Sequence, residues 1–164
     1  MRKIMVIGCP GSGKSTFSTA LHKKTGLPLY HLDNMYWNAD KTVVGKNLFG
    51  ERLSTVLATD RWIIDGNFSA TMEQRLALCD TVFFLDYPTD LCLEGVRARR
   101  GKTRTDIPWI ETEEDAEFMA YIREFSTTRR PAILELLEKY ADRQVVVFHT
   151  RDEATAFLDS IQVE

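Results

Sequence analysis

The sequence predicts an α/β fold, a three-layer sandwich whose middle layer is a five-stranded parallel sheet. Three observations lead there. Five short apolar runs bounded by turn residues have the length and composition of strands. The segments between them return apolar side chains at helical spacing. A glycine-rich stretch follows the first run directly, and parallel sheets bind ligands beyond the carboxyl ends of their strands.

The elements follow in order. Lys3–Ile7 is the first strand, and after it Phe17, Ala20 and Leu21 share a helical face. Pro28–Leu32 is the second strand, ending at Asp33, and Phe49, Leu53 and Val56 mark the next helix. Trp62–Ile64 and Thr81–Leu85 are the third and fourth strands. Ile133, Leu136, Leu137 and Tyr140 repeat the helical pattern before the fifth strand, Gln144–Phe148. Ala154, Phe157, Leu158 and Ile161 close the chain with another. The strand exits fall at Gly8, Asp33, Asp65, Asp86 and His149-Thr150.

One stretch breaks the alternation. Arg97 to Glu117 begins basic (Arg97, Arg99, Arg100, Lys102, Arg104) and turns acidic (Glu111, Glu113, Glu114, Asp115, Glu117). Its centre, Gly101 to Pro108, holds turn formers without a period, and predicts an excursion over the sheet's edge. Residues 1–164 therefore read as one domain with a small lid-like excursion at about 100–117.

Composition narrows the function classes. With 21 basic and 24 acidic residues the net charge is −3, so any nucleic-acid or anionic-membrane contact would have to be local. No run approaches the ~20 apolar residues of a membrane span. The stretch Met1–Ile7 is too short for a secretory signal. Cys9, Cys79 and Cys92 are odd in number and lack metal or disulfide spacing, which suits reduced thiols in a cytoplasmic protein. His22, His31 and His149 show no ligand spacing either, and structural roles are expected for them.

Gly8-Cys9-Pro10-Gly11-Ser12-Gly13-Lys14-Ser15 matches G-x-x-x-x-G-K-[ST] between a strand and a helix, the context that a P-loop requires. Gly8, Gly11 and Gly13 let the backbone curl so that successive N–H groups face phosphate, and the helix start adds its dipole. Lys14 is expected to reach the β- and γ-phosphates of ATP, and the Ser15 hydroxyl to bind Mg²⁺. Ser12 and Thr16 complete the expected nucleotide contacts.

Asp65, at the end of Trp62-Ile63-Ile64-Asp65, suits the acidic partner that holds Mg²⁺ opposite Ser15, or else a turn aspartate before Gly66. Asp33 is a candidate to accept the proton of an acceptor hydroxyl, a further magnesium partner, or a cap. Met35-Tyr36-Trp37 beside it is either an acceptor wall or packing. Arg97, Arg100 and Arg104 enter the excursion, and Arg123, Arg129 and Arg130 follow it. Guanidinium groups suit the charge of a transferring phosphoryl group, although half of these six would serve as a solvated face. Thr150-Arg151 could border the base or begin a helix.

Taken together, Gly8–Ser15, His31-Leu32-Asp33 with Tyr36-Trp37, Trp62–Asn67, Asp80–Asp86, Arg129-Arg130-Pro131 and Val145–Phe148 resemble the adenylate-kinase-related P-loop proteins often labelled DNA topology modulation proteins. More widely, they resemble the nucleoside monophosphate kinase-like P-loop NTPases. The resemblance covers nearly the whole chain and implies a kinase-type sheet, ATP and Mg²⁺ on the P-loop, and phosphate contacts from Arg97 and Arg100. The chain departs from it twice. His31 to Trp37 lacks the arginine that holds an acceptor phosphate, and Asp65 is followed by Gly66-Asn67-Phe68-Ser69 rather than Gly-Phe-Pro-Arg. Both departures weigh against a nucleotide acceptor, and an aspartate after the second strand, Asp33, is more like small-metabolite kinases such as shikimate kinase. The expected activity is ATP- and Mg²⁺-dependent transfer of the γ-phosphate to a nucleotide or small hydroxyl metabolite, with Lys14, Asp33, Arg97 and Arg100 at the reaction. The alternative is a nucleotide-dependent regulator of DNA topology or of a protein partner. No Asn-Lys-x-Asp guanine motif is present, which points away from a GTPase.

Overall fold

A computed structural model describes residues 1–163. Five strands, β1 (Lys3–Gly8), β2 (Leu29–His31), β3 (Trp62–Asp65), β4 (Thr81–Leu85) and β5 (Gln144–Phe148), form one sheet in the order β2-β3-β1-β4-β5. Every pairing is parallel; Val6 stands beside Asp65 on one flank and Phe83 on the other. After Lys3, every residue of β1, β3 and β4 is buried, so both faces of the central sheet are covered by helices. The chain leaves β1 for one half of the sheet and later crosses to the other. The carboxyl end of β1 is thus the topological switch point, where such sheets open a crevice.

The covering helices are α1 (Lys14–Thr25), α2 (Leu32–Tyr36), α3 (Lys46–Leu57), α4 (Ser69–Leu78), α5 (Thr89–Arg99), α6 (Ala116–Thr128), α7 (Arg130–Lys139) and α8 (Arg151–Ser160). Local chemistry sets several of their ends. Gly26, at φ 72°, closes α1 with its N–H on the His22 carbonyl, a left-handed cap that costs glycine least. The Asp115 carboxylate accepts from the Glu117 and Phe118 N–H groups and starts α6. The Thr150 hydroxyl likewise accepts from Glu153 N–H and starts α8.

The five strands and the helical faces lie where the sequence predicts them, with one change. β2 stops at His31, and Leu32 to Tyr36 turns at once into α2, so Asp33 sits in a helix's first turn rather than at a strand end. That position sets its carboxylate against the positive end of the helix. In the excursion expected at about 100–117, residues 101–115 carry no helix or strand, and α6 begins at Ala116. This segment folds back onto α2. The Asn34 side-chain amide donates to the Thr105 carbonyl at 2.6 Å, and the Trp109 ring meets Trp37 edge to face at 5.6 Å. Among the described residues no helix is long and apolar enough to cross a membrane.

Candidate active site

A cavity of about 1140 Å³ opens above the carboxyl end of β1, lined by the P-loop, α2, α5 and the 101–115 segment. Its floor depends on two glycines that meet. A Cβ on Gly11 would stand 2.0 Å from the Cys92 carbonyl oxygen, and one on Gly95 would stand 2.0 Å from the Gly11 carbonyl oxygen. Any larger residue at either position would push α5 off the loop. Gly11 and Gly13 also hold φ of 85° and 95°, which disfavours other residues there.

Three side chains fix the loop. Asn67 accepts from Gly8 N–H at 3.1 Å and returns its amide to the Gly8 carbonyl at 2.7 Å. Lys14 Nζ donates to the same carbonyl at 2.9 Å and to that of Cys9 at 3.3 Å. Arg151 donates to the Ser12 and Gly11 carbonyls and lies over the Tyr87 ring. Ser12 is buried, and its hydroxyl has no protein partner. An unpaired hydroxyl in a glycine cradle, with a lysine at its mouth, fits the phosphates of a nucleotide.

Asp65 lies beside this loop, only 5% exposed, and lines the cavity with Ser15. Its Oδ2 is 2.6 Å from His31 Nδ1. Burial lowers the His31 pKa, but the hydrogen bond and charge of Asp65, with the fields of Asp106 and Asp33, outweigh it and raise the pKa overall. No group of three His, Cys, Asp or Glu side chains among the described residues could hold a metal unaided. Ser15 and Asp65 supply oxygen donors of the kind Mg²⁺ takes, an ion that keeps several waters and shares its shell with phosphate rather than entering a protein cage.

Asp33 faces the same cavity from α2. Burial raises its pKa, helped by Asp106 and Asp65 and opposed by Lys14 and Arg104. Burial also lowers the Lys14 pKa, against the pull of Asp65, Cys9 and Asp33. The two groups thus sit in one field. One wall is aromatic: Tyr36, Trp37 and Phe68 line the cavity, with Tyr36 packed edge to face on Trp37 and Phe68, each at 5.0 Å.

The arginines divide sharply. Arg97 and Arg100 lie outside the cavity, both beside Glu114 at 3.3 and 3.5 Å. Arg104 does line it, held by both Asp106 oxygens at 3.0 and 2.7 Å and near Glu111 at 3.1 Å. Arg130 grips Asp86 behind the sheet's carboxyl edge, and Arg129 lies over the Tyr121 ring. Arg123 is exposed and not in the cavity.

Three residues enter with roles that the motifs did not assign. Arg99 lines the cavity because it continues the α5 face of Leu91, Glu94, Gly95 and Ala98. The signal was Gly95, a mid-helix glycine that marks a close approach; the residue one turn onward shares its face. His31, assigned only a structural role from spacing, holds Asp65. Arg75 is fully buried under the β3–α4 turn and donates to the Gly66, Asn67 and Phe68 carbonyls, which positions Asn67 against Gly8.

The chain resembles shikimate kinases in the solved structures. It matches the enzyme from Bacteroides thetaiotaomicron with a TM-score of 0.55 and 21% identity, covering 95% of this chain and 93% of that one. It matches shikimate kinase from Acinetobacter baumannii in complex with shikimate with a TM-score of 0.62 and 20% identity, covering 97% and 92%. No protein-family model and no curated protein matches the sequence. At this identity, what the chain shares with shikimate kinases is their α/β P-loop fold over nearly its full length.

Proposed function

We propose that this protein is an ATP- and Mg²⁺-dependent phosphotransferase acting on a small hydroxyl-bearing acceptor. The observation that carries the reading is one cavity whose lining joins the P-loop residues Gly11, Gly13, Lys14, Ser15 and Thr16 to Asp65 and to the half-buried carboxylate of Asp33. The shikimate kinase likeness agrees with it.

In this reading Gly11 to Thr16 holds the phosphates, and Arg151 steadies the loop from behind. Ser15 and Asp65 would hold Mg²⁺, with His31 orienting Asp65. When bound, the metal would offset the charge of the phosphates. Lys14 lies where it can turn from the Gly8 carbonyl to a γ-phosphate oxygen. Arg99 is the guanidinium best placed to meet charge that builds during transfer, whereas Arg97 and Arg100 would need the segment to move. Asp33, its pKa raised by burial, accepts a hydroxyl proton more readily than an ordinary aspartate would.

The order of the motifs keeps the chain near the DNA topology modulation proteins, but a regulatory role on DNA has little physical support. Net charge is −3, and Arg97, Arg100 and Arg104 pair with acidic neighbours instead of forming an open basic stripe. Equilibrium binding of ATP with Mg²⁺, followed by ADP release across a panel of hydroxyl acceptors, tests the proposal. Failure to bind ATP would sink it, and duplex DNA binding that falls with salt would favour the regulator.

A further inference from the structure

Two of the three cysteines meet at the seam between the P-loop and α5. Cys9, the loop's second residue, and Cys92, in the first turn of α5, are both buried, and their thiols share a hydrogen bond. Spacing in the sequence gives no hint of the pair. It follows from Gly11, whose missing side chain lets the Cys92 carbonyl close against the loop. The Cys92 thiol also lies 3.9 Å from the Tyr87 carbonyl. Cys79, by contrast, donates to the Leu76 carbonyl at the end of α4.

The two thiols are not equivalent. Cys9 donates to Cys92, which with burial raises the Cys9 pKa and lowers that of Cys92. Lys14 and Arg151 add their fields at Cys92, against burial and Asp86. Cys92 therefore carries the thiolate character of the pair, and the thiolate is the form that reacts. A second cavity, of about 20 Å³, opens beside Cys9 and is lined also by Asp86, Tyr87, Phe125 and Arg130. It has room for one molecule of about water's size. A hydroperoxide such as hydrogen peroxide is the class of oxidant that such a space admits; a bulky disulfide is shut out.

We propose that Cys9 and Cys92 form a reversible disulfide that switches off nucleotide binding at the P-loop. This rests on the donor side of the kinase reading and adds control to it. A lone pair of the Cys92 sulfur attacks one oxygen of hydrogen peroxide, and the O–O bond breaks. The hydroxide that departs takes up the Cys92 proton and leaves as water. The Cys9 sulfur then attacks the sulfenic acid on Cys92. The S–S bond forms, the S–OH bond breaks, and a second water leaves with the Cys9 proton. Two thiols have then given two electrons to one peroxide. Sulfurs in hydrogen-bond contact must close to about 2.05 Å for that bond. The seam has no slack to absorb the change, since a Cβ on Gly11 would already stand 2.0 Å from the Cys92 carbonyl oxygen. The Cys9 carbonyl accepts from Ser12 N–H at 3.0 Å and from Lys14 Nζ at 3.3 Å. Drawing Cys9 toward α5 therefore displaces the loop turn and its lysine together.

The test uses the full chain. After hydrogen peroxide treatment and alkylation, peptide mapping by mass spectrometry should find one link, Cys9 to Cys92, that dithiothreitol removes. Equilibrium binding of ATP with Mg²⁺ should weaken by about tenfold or more in the linked protein and recover on reduction. That is the loss expected from misplacing a hydrogen bond or two to charged phosphate. Cys92→Ser should keep its own ATP affinity through the same treatment. If that variant does not fold, recovery of the wild-type chain on reduction answers the same question. A link through Cys79, or sulfinic acid without a link, overturns the inference. So does a Cys9–Cys92 link that leaves ATP affinity unchanged, and the kinase reading then stands. Reduced protein that binds no ATP removes the kinase reading itself, and the switch with it.

Discussion

The donor half of the cavity is made from one short stretch of backbone, whereas the acceptor half is assembled from side chains on separate segments. On the donor side, Gly8 to Ser15 is continuous in sequence, wedged against α5 by Gly11 and Gly95 and tied at Gly8 by Asn67. On the acceptor side, Asp33, Trp37, Phe68, Arg104 and Asp106 come from α2, the β3–α4 turn and the 101–115 segment. A backbone cradle recognises phosphate whatever the neighbouring side chains are. A side-chain pocket changes its ligand with one or two substitutions. The difference explains why such a fold can keep its donor while its acceptor changes.

The largest effect should follow from removing the P-loop lysine. Lys14→Ala should lower ATP-dependent turnover on the order of 10³-fold, the cost of losing a positioned charge at a transferring phosphoryl group. Circular dichroism should stay native, since Lys14 bonds only loop carbonyls. Unchanged turnover would break the division between the halves. Asp33→Asn should follow, with a loss of about 10²-fold in turnover and little change in ATP affinity. The sign of its pH dependence is fixed by the carboxylate's role. A base must be ionised, so wild-type kcat/KM falls as pH drops through an Asp33 pKa raised above the ordinary 3.8. The variant should lack that acid limb; a loss of ATP affinity instead would move Asp33 to the donor side.

The same division decides what could be read from the sequence. Gly8–Ser15 was legible because its chemistry is local: a strand, fixed glycines, a lysine and a helix start in one window. The three central strands are legible because burial on both faces writes a continuous apolar run, whereas β2 and β5 at the edges are only partly buried. Asp33 was found, but not its short helix, because five residues hold too little period to separate a helix from a turn. Arg99 is not separable from Arg97 and Arg100 in the sequence, because spacing along the excursion says nothing about which helical face meets the loop. That face is set by the contact of Gly11 with Gly95, two residues far apart in sequence. The His31–Asp65 pair joins neighbouring strands, and its register appears only once the sheet order is known.

Arginine variants sharpen the boundary between the halves. Arg99→Gln should reduce turnover by about tenfold to 10²-fold, as expected for a guanidinium that meets developing charge at partial strength. Arg97→Gln should leave turnover within about twofold and cost under about 1 kcal/mol of stability, because its pair with Glu114 is roughly half exposed on both sides. Steady-state kinetics on the two variants, side by side, reads the difference. The reverse order would mean that the 101–115 segment closes in a way that exchanges Arg97 for Arg99 over the phosphates.

The smallest effect belongs to the joint between the halves, where His31 from β2 steadies Asp65 from β3. Its pH dependence has a definite sign. The His31 pKa is raised in the folded chain, so the folded protein binds the proton more tightly than the unfolded chain, whose histidine titrates near 6.5. The stabilisation is fully present below that unfolded value and is lost as pH rises through the higher folded one. Thermal unfolding of the protein without Mg²⁺ should therefore show Tm falling across that window, and His31→Gln should flatten the slope there. If Tm rose through the same window, His31 would be neutral in the fold, and Asp65 would be held by a neutral donor rather than by an ion pair.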